Sequence, residues 1–195
     1  GKSLLVEAAA GQFSEFGLTF FKISSTELLK ASKNFTAQVK DRIDALFISA
    51  TNLQPSMILI DDIDILTKGK ENAVIKAHLT QCLDQCMNDT ENYVVVIGTT
   101  SSIEKVDSNL RRPGRFGREI SIGLPDYDQR LEILQTTTAG LNLDESVDLE
   151  QIAREADGFI GADIVGLMQE ASLTTVKRFT SSPQQGTEFF ESGSS

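Results

Sequence analysis

Met57-Ile58-Leu59-Ile60-Asp61-Asp62 is an unbroken apolar run that stops abruptly in carboxylates, with a further acid at Asp64. A strand wetted on one face alternates; a strand covered on both faces reads as continuously apolar, as this one does. The run therefore predicts a parallel sheet of the α/β class. Leu18-Thr19-Phe20-Phe21-Lys22-Ile23 reads as a short strand, and Tyr93-Val94-Val95-Val96-Ile97 as a second buried one, stopped by Gly98. Glu119-Ile120-Ser121-Ile122-Gly123-Leu124 alternates before Pro125, the pattern of another strand. Helices are expected between them. Residues 4–13 qualify by Ala and Leu content, residues 36–52 by the spacing of Val39, Ile43, Leu46 and Phe47, and residues 72–88 complete the alternation. Strands alternating with helices give a parallel sheet with crossover connections.

Past Pro125 the character changes to helix alone, at 127–138, 149–156 and 162–179, with turn signals at Gly140 and Gly158. The expected organisation is an α/β nucleotide-binding subdomain at 1–126, a small helical lobe at 127–180, and a polar tail or linker at 181–195. The 195 residues are 40% hydrophobic with a formal net charge of −10, and the pI is about 4.6. Such acidity disfavours a dedicated binder of nucleic acid or anionic membrane, which needs Lys and Arg to displace counterions. Two cysteines make no disulfide framework, and no apolar run approaches the ~20 residues that span a bilayer. A cytoplasmic or nuclear location, without membrane insertion, is the expectation.

Gly1-Lys2-Ser3 runs straight into the helix-forming Leu4-Leu5-Val6-Glu7-Ala8-Ala9-Ala10 with no strand or cap before it. The chain thus reads as a fragment cut inside a motif, the last part of a phosphate-binding loop. In such loops backbone N–H groups at a helix N-terminus cradle phosphates, the Lys reaches the β- and γ-phosphates, and the hydroxyl binds Mg²⁺. Alone, the triplet is an ordinary Lys-Ser. Its partner is Ile58-Leu59-Ile60-Asp61-Asp62, which has the form of a Walker B strand: the first acid holds the Mg²⁺ shell, the second orients the attacking water. The order and separation of the two favour a nucleotide site over two unrelated features.

Asn109-Leu110-Arg111-Arg112-Pro113-Gly114-Arg115-Phe116-Gly117-Arg118-Glu119 is the most informative stretch for function. Four arginines here suit either a phosphate or RNA patch, or a guanidinium that neutralises charge on a transferring phosphoryl group. Chain acidity and the lack of aromatics other than Phe116 favour the second. Together with Val96-Ile97-Gly98-Thr99-Thr100, and the continuation to Pro125-Asp126, this stretch resembles the second region of homology of the AAA ATPases. Gly158-Phe159-Ile160-Gly161-Ala162-Asp163-Ile164 and Glu170-Ala171-Ser172-Leu173 resemble the lid motif of the same family, in particular the first ATPase domain of tandem-ring members similar to valosin-containing protein. The resemblance covers about residues 1–180.

It implies a P-loop NTPase fold: a parallel five-stranded sheet, its first strand expected to be missing here, plus a C-terminal helical lid. ATP and Mg²⁺ are the implied cofactors. Gly1, Lys2 and Ser3 then contact phosphates, with Ser3 and Asp61 on the metal. Asp62 stands where the family has a catalytic Glu, and Ser101 where it has a polar sensor Asn. Arg115 and Arg118 match the pair that reaches a neighbouring subunit's γ-phosphate, while Gly161 and Ala162 match lid positions near the adenosine. The implied assembly is a homo- or hetero-hexameric ring that remodels protein or ribonucleoprotein substrates, with room for adaptor proteins and no direct DNA binding.

The sequence also departs from the family. Asp62 is one methylene shorter than Glu, Ser101 has a shorter reach than Asn, Gly117 replaces the Asp between the two arginines, and Thr137 stands where related domains often carry a His. Binding is therefore safer than hydrolysis, and a non-hydrolysing module that clamps ATP and regulates a partner ring is the first alternative. A nucleic-acid-binding module using the arginine cluster is the second. In the pore-loop region Phe35 is the candidate aromatic, against a plain helix-entry staple, and residues 67–71 are the candidate second loop. His78, Cys82 and Cys86 recur every fourth residue on one helix like half of a metal site. Ile75, Leu79 and Leu83 lie close to that face, so buried reduced thiols are the plainer reading. The pair Phe189-Phe190 carries no assignment.

Overall fold

The computed structural model describes residues 1–30, 35–67, 72–88 and 93–181. Residues 31–34 and the Phe35 side chain, residues 68–71, and the tail from 182 with Phe189 and Phe190 lie outside the described residues, and the pore-loop candidates with them. The backbone contacts divide into two units, Lys2–Ser121 and Ile122 onward, with Gly1 grouped with the latter.

The first unit is built on three parallel strands in the order β1 (Thr19–Ser24), β2 (Ser56–Asp61), β3 (Val94–Gly98). The run that decided the fold class is the central strand. Ser56 through Ile60 are all buried, and the ladder pairs Ile58 with Phe21 on one side and Val96 on the other. Each fully buried Leu or Ile contributes about 1.5–3 kcal/mol over an exposed one, so this strand anchors the unit. Helix α1 (Lys2–Phe13) precedes the sheet. Helices α2 (Ser25–Lys30) and α3 (Phe35–Asn52) connect β1 to β2, and α4 (Ile63–Thr67) and α5 (Ala73–Asn88) connect β2 to β3.

The periodicity expected of α3 and α5 is what packs them. Val39, Ile43, Phe47 and Ala50 bury one stripe of α3, and Ile75, Leu79, Leu83 and Cys86 bury one stripe of α5, all in a single core with Ile58, Ile60 and Leu110. The short helices α2 and α4 were not expected, because five or six residues are too few to show a period.

One expected strand is absent. Residues 119–124 form no ladder among the described residues. Ile120, Ile122 and Leu124 are 77%, 47% and 67% exposed. Alternation marks which side chains share a face, but a strand also needs a neighbouring backbone to bond, and among the described residues β3 pairs with β2 alone. The sheet described has three strands, one fewer than the four expected with the first strand missing.

The second unit carries α6 (Tyr127–Thr138), α7 (Leu149–Glu155) and α8 (Gly161–Ser181). Asp126 and Gln129 form a reciprocal capping box that starts α6, and Asp148 caps α7. Leu134, Ala153 and Ile164, one from each helix, are fully buried at the centre. Buried Arg130 crosses this unit: its Nε donates to Ala153 O at 3.0 Å and its NH1 to Pro125 O at 3.0 Å, with Asp157 at 3.3 Å. No helix among the described residues is long and apolar enough to cross a membrane.

Candidate active site

Helix α1 begins beside the end of β2. The Ser3 hydroxyl, one residue into that helix, donates to Asp61 Oδ1 at 2.7 Å. The Thr99 hydroxyl, just past β3, donates to the same oxygen. Burial pushes the Asp61 carboxyl up, but the hydroxyls of Thr99 and Ser3 and the charge of Lys22 outweigh it, so its pKa lies below the ordinary value. Asp61 is thus held ionised among oxygens. Lys22 is itself pinned by Glu7 of α1 at 2.6 Å.

The ends of β2 and β3 are tied to each other by backbone as well. Thr99 N–H donates to Ile60 O at 3.0 Å, and Ile63 N–H to Thr99 O at 2.9 Å. The tie forces a sharp turn at Asp62, whose φ is +54°. Asp tolerates this left-handed region better than most residues. The Asp62 amide donates to Thr99 Oγ1 at 3.2 Å, while its carboxylate has no hydrogen-bond partner among the described residues. Next to it, the Thr100 hydroxyl donates to buried Asp64 Oδ1 at 2.7 Å and accepts from the Ser102 amide at 3.1 Å. Ser101, between these two anchored residues, is exposed. Thr99, Thr100 and Asp64 were not singled out as site residues from sequence.

The arginine loop packs on this framework through Phe116. A Cβ on Gly98 would stand 3.2 Å from Ile63 Cδ1 and 3.3 Å from Phe116 Cε1, so glycine lets both side chains close on the strand. Leu110 is fully buried, and the Phe116 amide donates to its carbonyl at 2.9 Å. Gly117, noted above as a departure, is required by the turn: a Cβ there would lie 2.9 Å from Pro113 Cα and 3.0 Å from Arg112 O, both backbone atoms.

Arg115 is fully engaged within its own chain. Its Nε and NH2 donate to the two carboxylate oxygens of Asp84, on α5, at 2.6 and 2.8 Å, and its NH1 donates to Asn109 O at 2.6 Å. The fork geometry suits a guanidinium, and the hydrogen bonds from Arg115 hold the Asp84 carboxyl below its ordinary pKa. Arg111 pairs with Glu119 at 2.8 Å. Arg112 and Arg118 are exposed and have no ionic partner among the described residues. Ser3 and Asp61 are joined directly and Asp62 is linked to them through Thr99; Arg115 and Arg118 are hydrogen-bonded to none of them. Gly1 and Lys2 are exposed at the start of α1.

In the second unit, Gly161 and Ala162 open α8. A Cβ on Gly161 would make an ordinary 3.9 Å contact with Ile133 Cδ1, and Asp163 accepts from the Ile160 amide at 2.9 Å. The Thr137 hydroxyl donates back to Ile133 O at 2.7 Å.

Residues 1–124 match the family described as "ATPase family associated with various cellular activities (AAA)", and residues 146–191 match the AAA+ lid domain. The chain belongs to the AAA ATPase family. It is 34% identical over 183 residues to Protein CdcH of Halobacterium salinarum, covering 92% of this chain and 24% of that protein. It is 36% identical over 182 residues to the ATP-dependent zinc metalloprotease FtsH of Opitutus terrae, covering 89% and 28%. It is 35% identical over 184 residues to the Cell division cycle protein 48 homolog of Archaeoglobus fulgidus, covering 91% and 24%. The chain thus spans about a quarter of the length of these relatives. Within the AAA domain, the oxygens of Ser3 and Asp61 suit a hard divalent cation such as Mg²⁺, which takes hydroxyl, carboxylate and phosphate oxygens. The residues present therefore fit Mg²⁺-ATP.

Proposed function

We propose that this AAA domain binds Mg²⁺-ATP through Gly1, Lys2, Ser3 and Asp61 and hydrolyses it in a ring, with Arg115 and Arg118 supplied to a neighbouring subunit's site. The observation that carries the reading is the convergence of Ser3 and Thr99 on ionised Asp61, next to the Asp62 carboxylate, which has no hydrogen-bond partner among the described residues. Mg²⁺ would neutralise phosphate charge. Ser3 and Asp61 would hold it, Asp62 would accept the proton of the attacking water, and Ser101 would orient that water. Lys2 carries an exposed cation at the start of α1, where a helix N-terminus already favours anions. By resemblance to the AAA lid, Gly161 and Ala162 are proposed as the lid's adenosine contacts.

The ring is read as a homo- or hetero-hexamer acting on protein or ribonucleoprotein substrates in the cytoplasm or nucleus. This extends to the whole protein what is common among AAA ATPases.

Asp61→Asn tests the reading. It keeps the shape and both hydroxyl contacts but removes the charge. Mg²⁺-dependent ATP turnover should fall at least tenfold, with nucleotide affinity becoming insensitive to Mg²⁺. Unchanged Mg²⁺ dependence in Asp61→Asn would refute it.

A second reading, a clamp that binds without turning over, is favoured by the short Asp62 side chain and by the capture of Arg115 by Asp84. Tight binding in wild type with no turnover at any protein concentration would select it.

A further inference from the structure

The helical row His78, Cys82 and Cys86 gains a partner that lies far off in sequence. Asp44, on α3, comes up to α5 so that its Oδ1 lies 2.8 Å from His78 Nε2 and 3.6 Å from Cys82 Sγ. The Sγ and Nε2 are 3.9 Å apart. These three atoms come from different ligand classes and converge on one point. Among the described residues they form the one group of His, Cys and carboxylate ligands compact enough to hold an ion.

We propose that Asp44, His78 and Cys82 form a binding site for a zinc-class divalent cation that ties α3 to α5. With Zn–N and Zn–O bonds of about 2.0–2.2 Å and Zn–S of about 2.3 Å, a tetrahedral ion needs about 3.4 Å between its N and O ligands and about 3.6 Å from S to either. The Sγ–Oδ1 edge already has this length, the Sγ–Nε2 edge is slightly long, and the Nε2–Oδ1 edge must open by about 0.6 Å. Rotation of the Asp44 side chain, 44% exposed against 17% for His78, supplies that.

The mixed N, O, S set selects the metal. Mg²⁺ and Ca²⁺ take oxygen almost alone, whereas thiolate and imidazole together suit zinc. Three protein ligands leave one coordination position. Two of the ligands, Asp44 and Cys82, also line a groove of about 420 Å³ with Phe47, Ile48, Thr51 and Cys86, which has room for a water molecule. On binding, the Cys82 thiol gives its proton to solvent, and His78 coordinates through Nε2 with its proton on Nδ1.

The competing account makes Cys82 a nucleophile, since a cysteine beside a histidine and an acid invites it. The geometry excludes a relay, because Asp44 and Cys82 meet the same ring nitrogen of His78 rather than opposite ones. Burial also pushes the Cys82 thiol up to about 11, with the Asp44 charge acting in the same direction. A thiol in that state attacks poorly.

Cobalt reports on such a site, because a thiolate bound to Co²⁺ gives a charge-transfer band and a tetrahedral site gives strong visible d–d bands. The full protein, stripped with chelator and kept in excess Mg²⁺ without nucleotide, is titrated with Co²⁺. The expected result is saturation of both bands at one equivalent, displacement by Zn²⁺, and a higher Tm with Zn²⁺. Cys86→Ser should keep the bands, Cys82→Ser should lose the charge-transfer band, and Asp44→Asn should weaken binding by at least about tenfold. Absence of a charge-transfer band at stoichiometric Co²⁺ in the wild type overturns the proposal without any variant. So does a band that survives Cys82→Ser.

Discussion

Asp61 and Arg115 carry opposite charges suited to nucleotide chemistry, and the fold holds them in different ways. Asp61 sits at the end of a buried strand and accepts two neutral hydroxyls, from Ser3 and Thr99. Each such bond to the ionised carboxylate has a net worth of about 1.5–3 kcal/mol, and a bound cation can take its place without leaving a charge unpaired. Arg115 sits in a loop and commits three nitrogens to Asp84 and Asn109. Freeing it leaves the Asp84 carboxylate without its partner. On the proposed reading the phosphate side is ready as it stands, whereas Arg115 would have to leave Asp84 to reach a neighbouring subunit. Binding and turnover would then be separable, with assembly as the step between them.

Arg115→Ala puts the sharpest strain on that contrast. It should lower kcat by about a thousandfold or more, the usual worth of an arginine finger, with ATP affinity almost unchanged. Lys2→Ala should do the reverse in kind, weakening ATP binding by about 10- to 100-fold through a lost charge-assisted bond. Equilibrium binding with a fluorescent ATP analogue separates the two. Neither should unfold the domain, because Lys2 is exposed and Arg115 lies in a surface loop.

Gly117→Asp restores the residue common in the family but drives a Cβ against the Pro113 and Arg112 backbone. Thermal or denaturant unfolding should register a loss of about 1–3 kcal/mol. An unchanged midpoint would mean that the loop has slack and that the arginine side is as free to adapt as the phosphate side. Asp62→Glu is the smallest change. It lengthens the carboxylate by one methylene toward the water it must reach, and single-turnover rates should rise about tenfold at unchanged affinity.

Much of this was legible in the sequence, for reasons that differ by element. The continuous run Ile58-Leu59-Ile60 has the character of a strand buried on both faces, and β2 is one. The spacing in α3 and α5 is a local property, so the helices were readable before their packing. Residues 119–124 misled because alternation says nothing about whether a neighbouring strand exists to complete the ladder. The pairings of Arg115 with Asp84 and His78 with Asp44 span 31 and 34 residues, and no pattern within one element encodes them. Gly117 looked like decay of a motif. The crowding at its Cα shows a loop repacked around glycine instead.

The central claim is that one subunit's arginine acts on nucleotide held by another, and mixing two crippled proteins tests it directly. Lys2→Ala subunits bind ATP poorly but keep Arg115, and Arg115→Ala subunits bind ATP but lack the guanidinium. Each alone should be nearly silent in steady-state hydrolysis, while an equimolar mixture allowed to assemble should recover a substantial part of wild-type turnover. A mixture no more active than its components, at concentrations where both are shown to co-assemble, would contradict the account.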